Sequence, residues 1–242
     1  MMRKTFMLAY ALGGYVLATA SLVYIVGFLA DFGVPKSISI GKTTDFWTAV
    51  LIDMSLVGLF GLHHSVTART SFKRWWTKFI PQPIERATYL YMTAAMTALL
   101  VHLWCPIPIT IWEVKSQWGA IAIYALYLSI WTMMFLATFH FGHFSFMGLA
   151  QAWENFRQTP PEPTNLTIRY LYALVRHPIS LGWMTAPLAT PHLTAGHLVF
   201  ALATLIYIML ATPFEEADLI EELGETYTSY RNKVPKFLPF FK

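Results

Sequence analysis

The chain has 242 residues, of which 56% are hydrophobic, 16% aromatic and only 12% charged, about half the charge of an ordinary soluble domain. That much apolar surface cannot be buried in one water-soluble core, so the composition argues against a soluble enzyme, a disordered tail and a nucleic-acid binder, and for an integral membrane protein. The net charge of +4 does not alter this: the 17 Lys and Arg are spread over several loops, and the densest stretch, Lys73 to Lys78, is interleaved with Trp75 and Trp76 as at a lipid headgroup surface. Cys105 is the only cysteine, which leaves no internal disulfide framework and no cysteine-rich metal or iron–sulfur site.

A helix rising about 1.5 Å per residue needs about 20 apolar residues to cross about 30 Å of hydrocarbon. Residues 5–30, 46–66, 87–112 and 116–141 meet that requirement, the second with Asp53 as its one charge. The first follows Arg3 and Lys4 and contains Leu17-Ala18-Thr19-Ala20, but its apolar stretch is too long for a cleavable signal peptide, so it is expected to stay as a spanning helix. The uncharged run from His177 to Phe214 would reach roughly 57 Å as one helix, nearly twice the hydrocarbon core. It is expected to fold back near Pro187, Pro191 and Gly196 into a hairpin with limbs of unequal length. Gln158 to Asn165, with Pro160, Pro161 and Pro163, reads as a stiff extended linker. Pro213-Phe214-Glu215-Glu216 reads as the opening of an acidic helix over 215–230, striped by Leu219, Leu223, Tyr227 and Tyr230.

The expected fold class is all-α: a polytopic membrane protein with four spanning helices plus a C-terminal helical hairpin and a cytoplasmic amphipathic helix. One domain covers 1–242, with transmembrane helices in 1–142 and the hairpin and cytoplasmic segments in 143–242. With the N-terminus inside, only Lys36, Lys42 and Lys115 of the 17 basic residues face outward. That bias predicts a multi-pass protein, in a bacterial inner membrane, with both termini cytoplasmic.

Several polar residues stand out against this apolar background. Asp53 lies within a span, where a carboxylate needs a partner or a wet cavity. His63 and His64 sit at the inner end of the same span, where imidazole could accept a thiol or hydroxyl proton or could simply pack or cap. His140 and His143 are three apart on one helical face, but no Asp or Glu lies nearby to complete a metal site, and none is expected. His102, His192 and His197 read as interfacial. Tyr170-Leu-Tyr172-Ala-Leu-Val-Arg176-His177-Pro178 sets a guanidinium and an imidazole before a proline at the first turn of a buried helix, whose free N–H groups and dipole suit an anion. Glu215 and Glu216 emerge at the same inner level across the hairpin. Opposed cationic and anionic clusters suit a zwitterionic ligand, although Arg176 also serves as a topology anchor and the two glutamates as favourable charges at a helix start.

Arg176-His177-Pro178-Ile179-Ser180-Leu181-Gly182, an apolar hairpin, then Glu215-Glu216-x-x-Leu219, Gly224, Tyr227, Tyr230 and Pro235, resembles the C-terminal signature of the integral-membrane methyltransferases. These include isoprenylcysteine carboxyl methyltransferases and phospholipid N-methyltransferases. His64-Ser65-x-x-Ala68-Arg69, Phe72-Lys73-x-Trp75-Trp76, Ile80-Pro81, Ile84-Glu85-Arg86-x-Thr88-Tyr89 and His143-Phe144-x-x-x-Gly148-Leu149-x-Gln151 look like the NnrU-related methanethiol S-methyltransferases. The resemblance implies S-adenosyl-L-methionine bound on the cytoplasmic side by Tyr172, Arg176, His177, Pro178, Glu215 and Glu216, with its methyl directed into an intramembrane cavity. Ser180 stands where the superfamily commonly has tyrosine and Tyr170 where many members have glycine, so hydrogen bonds through those positions are not carried over. No glycine-rich dinucleotide loop of the soluble type is present.

The reaction so implied is attack of a thiolate on the sulfonium methyl, giving dimethyl sulfide from methanethiol, or a methylated product from hydrogen sulfide. A dry cavity favours the charge-neutralising transition state, and His64 or His143 is the expected proton acceptor. A tiny thiol offers few contacts, so the site should act by excluding larger acceptors and bind weakly. The expected partners are that thiol and membrane lipid, with no nucleic acid and no obligate protein partner. Alternatives are a lipid or prenylcysteine acceptor, a haem-binding subunit using His64, His102, His140 or His143, and a transporter with Asp53 as its proton site.

Overall fold

The structure is a computed structural model that describes residues 1–140, 142–160 and 168–239. Pro161 and Pro163 of the expected linker, with Phe141 and Lys242, lie outside the described residues. In chain order the helices are α1 (Met2–Leu29), α2 (Phe46–Ala68), α3 (Thr70–Trp76), α4 (Glu85–Leu103), α5 (Gln117–Phe139), α6 (His143–Phe146), α7 (Leu149–Arg157), α8 (Leu171–Leu174), α9 (Pro178–Thr185), α10 (Ala195–Leu223) and α11 (Glu225–Lys233). Short 3-10 turns cover Gln82–Ile84 and Ala186–Leu188, and two strands, β1 (Thr110–Glu113) and β2 (His192–Thr194), pair antiparallel. The protein is an all-α polytopic membrane protein, with α1, α2, α5 and α10 long and apolar enough to cross a bilayer.

Short polar caps fix where these helices start. The Asp45 carboxylate accepts the Thr48 N–H at 3.0 Å to open α2, and the Ser116 hydroxyl accepts from Gly119 at 3.3 Å to open α5. α4 stops at Leu103, short of the expected residue 112, because Pro106 and Pro108 cannot continue a helix. β1 occupies part of the remainder, a strand that the charge-free pattern did not foretell. The chain does fold back after Ala189, into a short limb of α9 with its 3-10 turn and a long limb, α10.

One expectation needs correction. Pro213 does not open a separate acidic helix over 215–230: α10 runs through it to Leu223, and the break falls at Gly224, whose φ of 57° suits glycine. A proline inside a membrane helix is tolerated where neighbouring groups compensate the missing backbone bond. The stripe nevertheless closes on itself across the break, since Leu219, Ile220 and Leu223 pack on Tyr227, Tyr230 and Val234.

α1 packs on α4 and α7, α2 on α4 and α10, and α9 on α5 and α10. The ends of these helices define two faces. The ribbon end holds β1 and β2 above a core of Phe28, Leu29, Ile38, Trp104, Tyr127 and Phe200. Several of its buried polar atoms are tied to backbone: Trp104 Nε1 donates to Ile38 O at 3.1 Å, the Tyr127 hydroxyl to Val26 O at 2.6 Å, and Asp53 Oδ1 accepts the Cys105 N–H at 2.9 Å. One Asp53 oxygen thus finds a partner in the turn that follows α4, while Oδ2 has none. The site end gathers the N-termini of α1, α4 and α9 and the C-termini of α2, α5 and α10.

Candidate functional site

At the site end the chain leaves α8, passes through Val175 in extended backbone and enters α9 at Pro178, a buried proline in the first turn where its missing N–H costs nothing. The tail after α11 grips this passage: the Arg176 N–H donates to Pro235 O at 2.9 Å, the His177 N–H to Lys236 O at 3.1 Å, and the Tyr230 hydroxyl to Tyr172 O at 2.7 Å. Tyr172 is buried, and its ring stacks on His140 with centroids 4.6 Å apart. Burial pushes the Tyr230 phenol up to about 12 and raises those of Tyr172 and Tyr227, so these rings stay neutral and act as packing and donor groups.

The six residues expected to hold a cofactor converge here. Arg176 Nε donates to Glu216 Oε1 at 2.9 Å, with both side chains about nine-tenths buried, and His177 Nε2 donates to the same oxygen at 3.0 Å. Arg176 Nη1 also donates to Arg231 O at 3.0 Å and to Val234 O. The Glu215 carboxylate lies 3.7 Å from His177 Nδ1 and is 59% exposed. The two charge clusters are therefore not merely opposed across a gap; they meet in a three-group knot on Glu216, and Glu215 remains the more accessible carboxylate. A charge pair this buried is stable only when its other donors and acceptors are also matched, which the backbone carbonyls of Arg231 and Val234 accomplish.

The two expected proton acceptors lie in different helix pairs. His64 sits between α2 and α4, stacked on Phe60, with the Tyr89 hydroxyl 2.7 Å from its Nδ1 and 3.1 Å from its Nε2. His143 sits between α5 and α1: Thr138 Oγ1 is 2.7 Å from Nδ1, the Tyr15 hydroxyl is 3.1 Å from Nε2, and Phe139 stacks on the ring. Burial lowers the His143 imidazole below its ordinary value, which favours the neutral ring. His63, beside His64, has both ring nitrogens buried without a hydrogen-bond partner. Among the described residues no three His, Cys, Asp or Glu side chains gather as a metal ligand set.

Other groups at this end were not singled out as site residues by sequence reasoning. Arg86 lies over the Tyr89 ring at 5.0 Å and donates to Phe146 O at 2.9 Å, joining α4 to α6. Arg69 joins α2 to α10 through Phe214 O at 2.8 Å and Asp218 at 3.0 Å. One turn deeper, the Tyr207 hydroxyl is 3.1 Å from Ser65 Oγ, and its ring lies against Gly61 so closely that a Cβ there would stand 2.3 Å from Tyr207 Cδ2. The Arg86 and Tyr89 spacing of three residues was a readable signal. Tyr207, set in an apolar span, carried none.

The chain is 42% identical to "Methanethiol S-methyltransferase" of Pseudomonas sp. (strain GM41(2012)) over 232 residues, 96% of this chain and 89% of that protein. It is 37% identical to the protein of the same name from Mycobacterium tuberculosis (strain ATCC 25618 / H37Rv) over 239 residues, 99% and 98% of the two chains. A more distant likeness, 24% over 229 residues, joins 89% of this chain to 86% of Nurim from Bos taurus. No family model and no solved structure matches the chain.

Proposed function

Because the chain belongs to the methanethiol S-methyltransferase family, and is by that membership a thiol S-methyltransferase, we propose that it methylates methanethiol to dimethyl sulfide with S-adenosyl-L-methionine as donor. The observation that carries the cofactor assignment is the convergence of Arg176, His177, Glu215 and Glu216 at one helix junction. Those residues fit the donor by their chemistry: its amino-acid end needs a cation for its carboxylate and an anion for its ammonium, and both are built into this knot. The donor supplies a methyl group activated on a sulfonium sulfur. Arg176 and the first-turn N–H groups of α9 would hold its carboxylate, Glu215 and Glu216 its ammonium, and Tyr172 and Pro178 the wall beside them.

The thiol needs a neutral imidazole to take its proton, and the aromatic side chains around His64 and His143 would keep water from that step. We place the site end at the cytoplasm of a bacterial inner membrane, with both chain termini on that side, because the loops at the opposite end hold only three of the 17 basic residues, Lys36, Lys42 and Lys115. Hydrogen sulfide is the next acceptor in line by size and chemistry.

Purified protein given the donor and one acceptor at a time tests this reading. Dimethyl sulfide should form from methanethiol, a smaller yield of methanethiol from hydrogen sulfide, and no product from a prenylcysteine or a phospholipid amine. Methylation of the lipid-like acceptors alone would overturn it.

A further inference from the structure

We propose that His63 is the proton acceptor for the thiol substrate. This rests on the reading that the chain methylates a small thiol, and it assigns a group which that reading leaves open.

The other histidines at this end are already engaged. His177 is bound to Glu216, His140 stacks on Tyr172, His143 has a hydroxyl at each nitrogen, and the Tyr89 hydroxyl faces both nitrogens of His64. His63 differs: neither of its nitrogens has a partner, and both are shielded. A neutral imidazole carries one donor and one acceptor, and each left buried and unmatched costs about 1–3 kcal/mol. Such groups are rare in folded proteins, and a catalytic role is among the reasons they persist. The other orphaned atoms among the described residues are of a different kind. Asp53 and Gln151 are each bonded through their second polar atom, and the Trp131 indole can only donate. His63 alone leaves a whole proton-accepting side chain unengaged.

Its position is also suitable. His63 follows Gly61, which admits the Tyr207 ring, by two residues on α2, so its ring leaves the helix on another side from that contact but at the same depth. Along α10, Tyr207 stands eight residues before Glu215, about 12 Å deeper into the bundle at the usual helical rise. A thiol beside His63 would therefore sit below the charged knot, on its membrane side. In the step itself, the S–H proton passes to the unprotonated ring nitrogen. The thiol sulfur keeps the bonding pair and attaches the methyl carbon, displacing the donor sulfur with its own pair. The imidazolium later returns the proton to water.

The test uses full-length protein in detergent with His63→Ala and His63→Gln. Both should lose at least about 100-fold in kcat/KM for methanethiol, the usual scale of a general base, while S-adenosylhomocysteine binding by calorimetry stays within about twofold of the parent. Added imidazole should restore part of the activity of His63→Ala, and the deficit should shrink for thiols acidic enough to arrive already ionised. Parent-like activity in both variants, or an equal deficit for every thiol without imidazole rescue, overturns the assignment. Should His63→Ala fail to fold, His63→Gln carries the same comparison across thiols. A parent protein that forms no dimethyl sulfide at all removes the thiol methyltransferase reading instead.

Discussion

The two ends of the bundle use the same residue types to opposite effect. At the ribbon end His197 is fully buried, its Nδ1 accepting from the Thr194 N–H at 3.2 Å and its Nε2 donating to Leu29 O at 3.1 Å, so one imidazole ties α1 to the start of α10. At the site end His177 shares a carboxylate with an arginine, Glu215 beside it is largely exposed, and His63 has no partner. Bonds to backbone make the first end a clamp; at the second, the accessible Glu215 carboxylate and the unpartnered His63 ring are open to a ligand. Stability should therefore reside at the ribbon end and binding at the site end.

His197→Ala is the strongest way to break this comparison. It removes a buried ring and orphans Leu29 O and Thr194, which should cost about 3–5 kcal/mol in chemical unfolding. If it unfolds no more easily than His177→Ala, the division between the ends is wrong. Gly61→Ala comes next: the added methyl meets the Tyr207 ring and should cost about 1–3 kcal/mol by overpacking, and Gly61→Ala combined with Tyr207→Leu should recover most of that loss in the same unfolding measurement. His143 gives a pH dependence. Its folded value lies below the ordinary imidazole value, so between that lowered value and about 6.5 the unfolded chain binds more protons than the folded one. Stability should hold above about pH 6.5 and fall as pH drops below it, by at most about 1.4 kcal/mol per pH unit for one proton. Melting curves of His143→Gln should be flatter over the same range. The smallest effect has the opposite sign. Tyr170 is 83% exposed and holds a φ of 53°, a conformation that favours glycine, so Tyr170→Gly should raise stability by about 0.5–1 kcal/mol.

That last residue shows what the sequence could and could not convey. Resemblance alone flags Tyr170 as standing where many relatives have glycine; the backbone supplies the reason. Charge-free length made α1, α2 and α5 legible as spanning helices, though not the early end of α4, and the apolar hairpin that returns Glu215 and Glu216 to the level of Arg176 and His177 made their gathering legible. The path of α10 through Pro213 was not, since a proline stops a helix in water but not where membrane packing compensates for it. The ribbon of β1 and β2 was equally hidden, being a long-range pairing of two short segments with little local signature. Sequence placed His63 and His64 together as candidates; only their partners separate them, because one faces Tyr89 and the other has no partner.

The central claim is that two segments distant in the chain hold one cofactor through the Glu216 knot. Calorimetric titration of the detergent-solubilised protein with S-adenosylhomocysteine, repeated with Glu216→Gln, tests it most directly. The account predicts clear binding by the parent protein and an affinity at least about tenfold weaker in the variant, equivalent to about 1.4 kcal/mol. Equal affinity in the two proteins, with both folded, would contradict it.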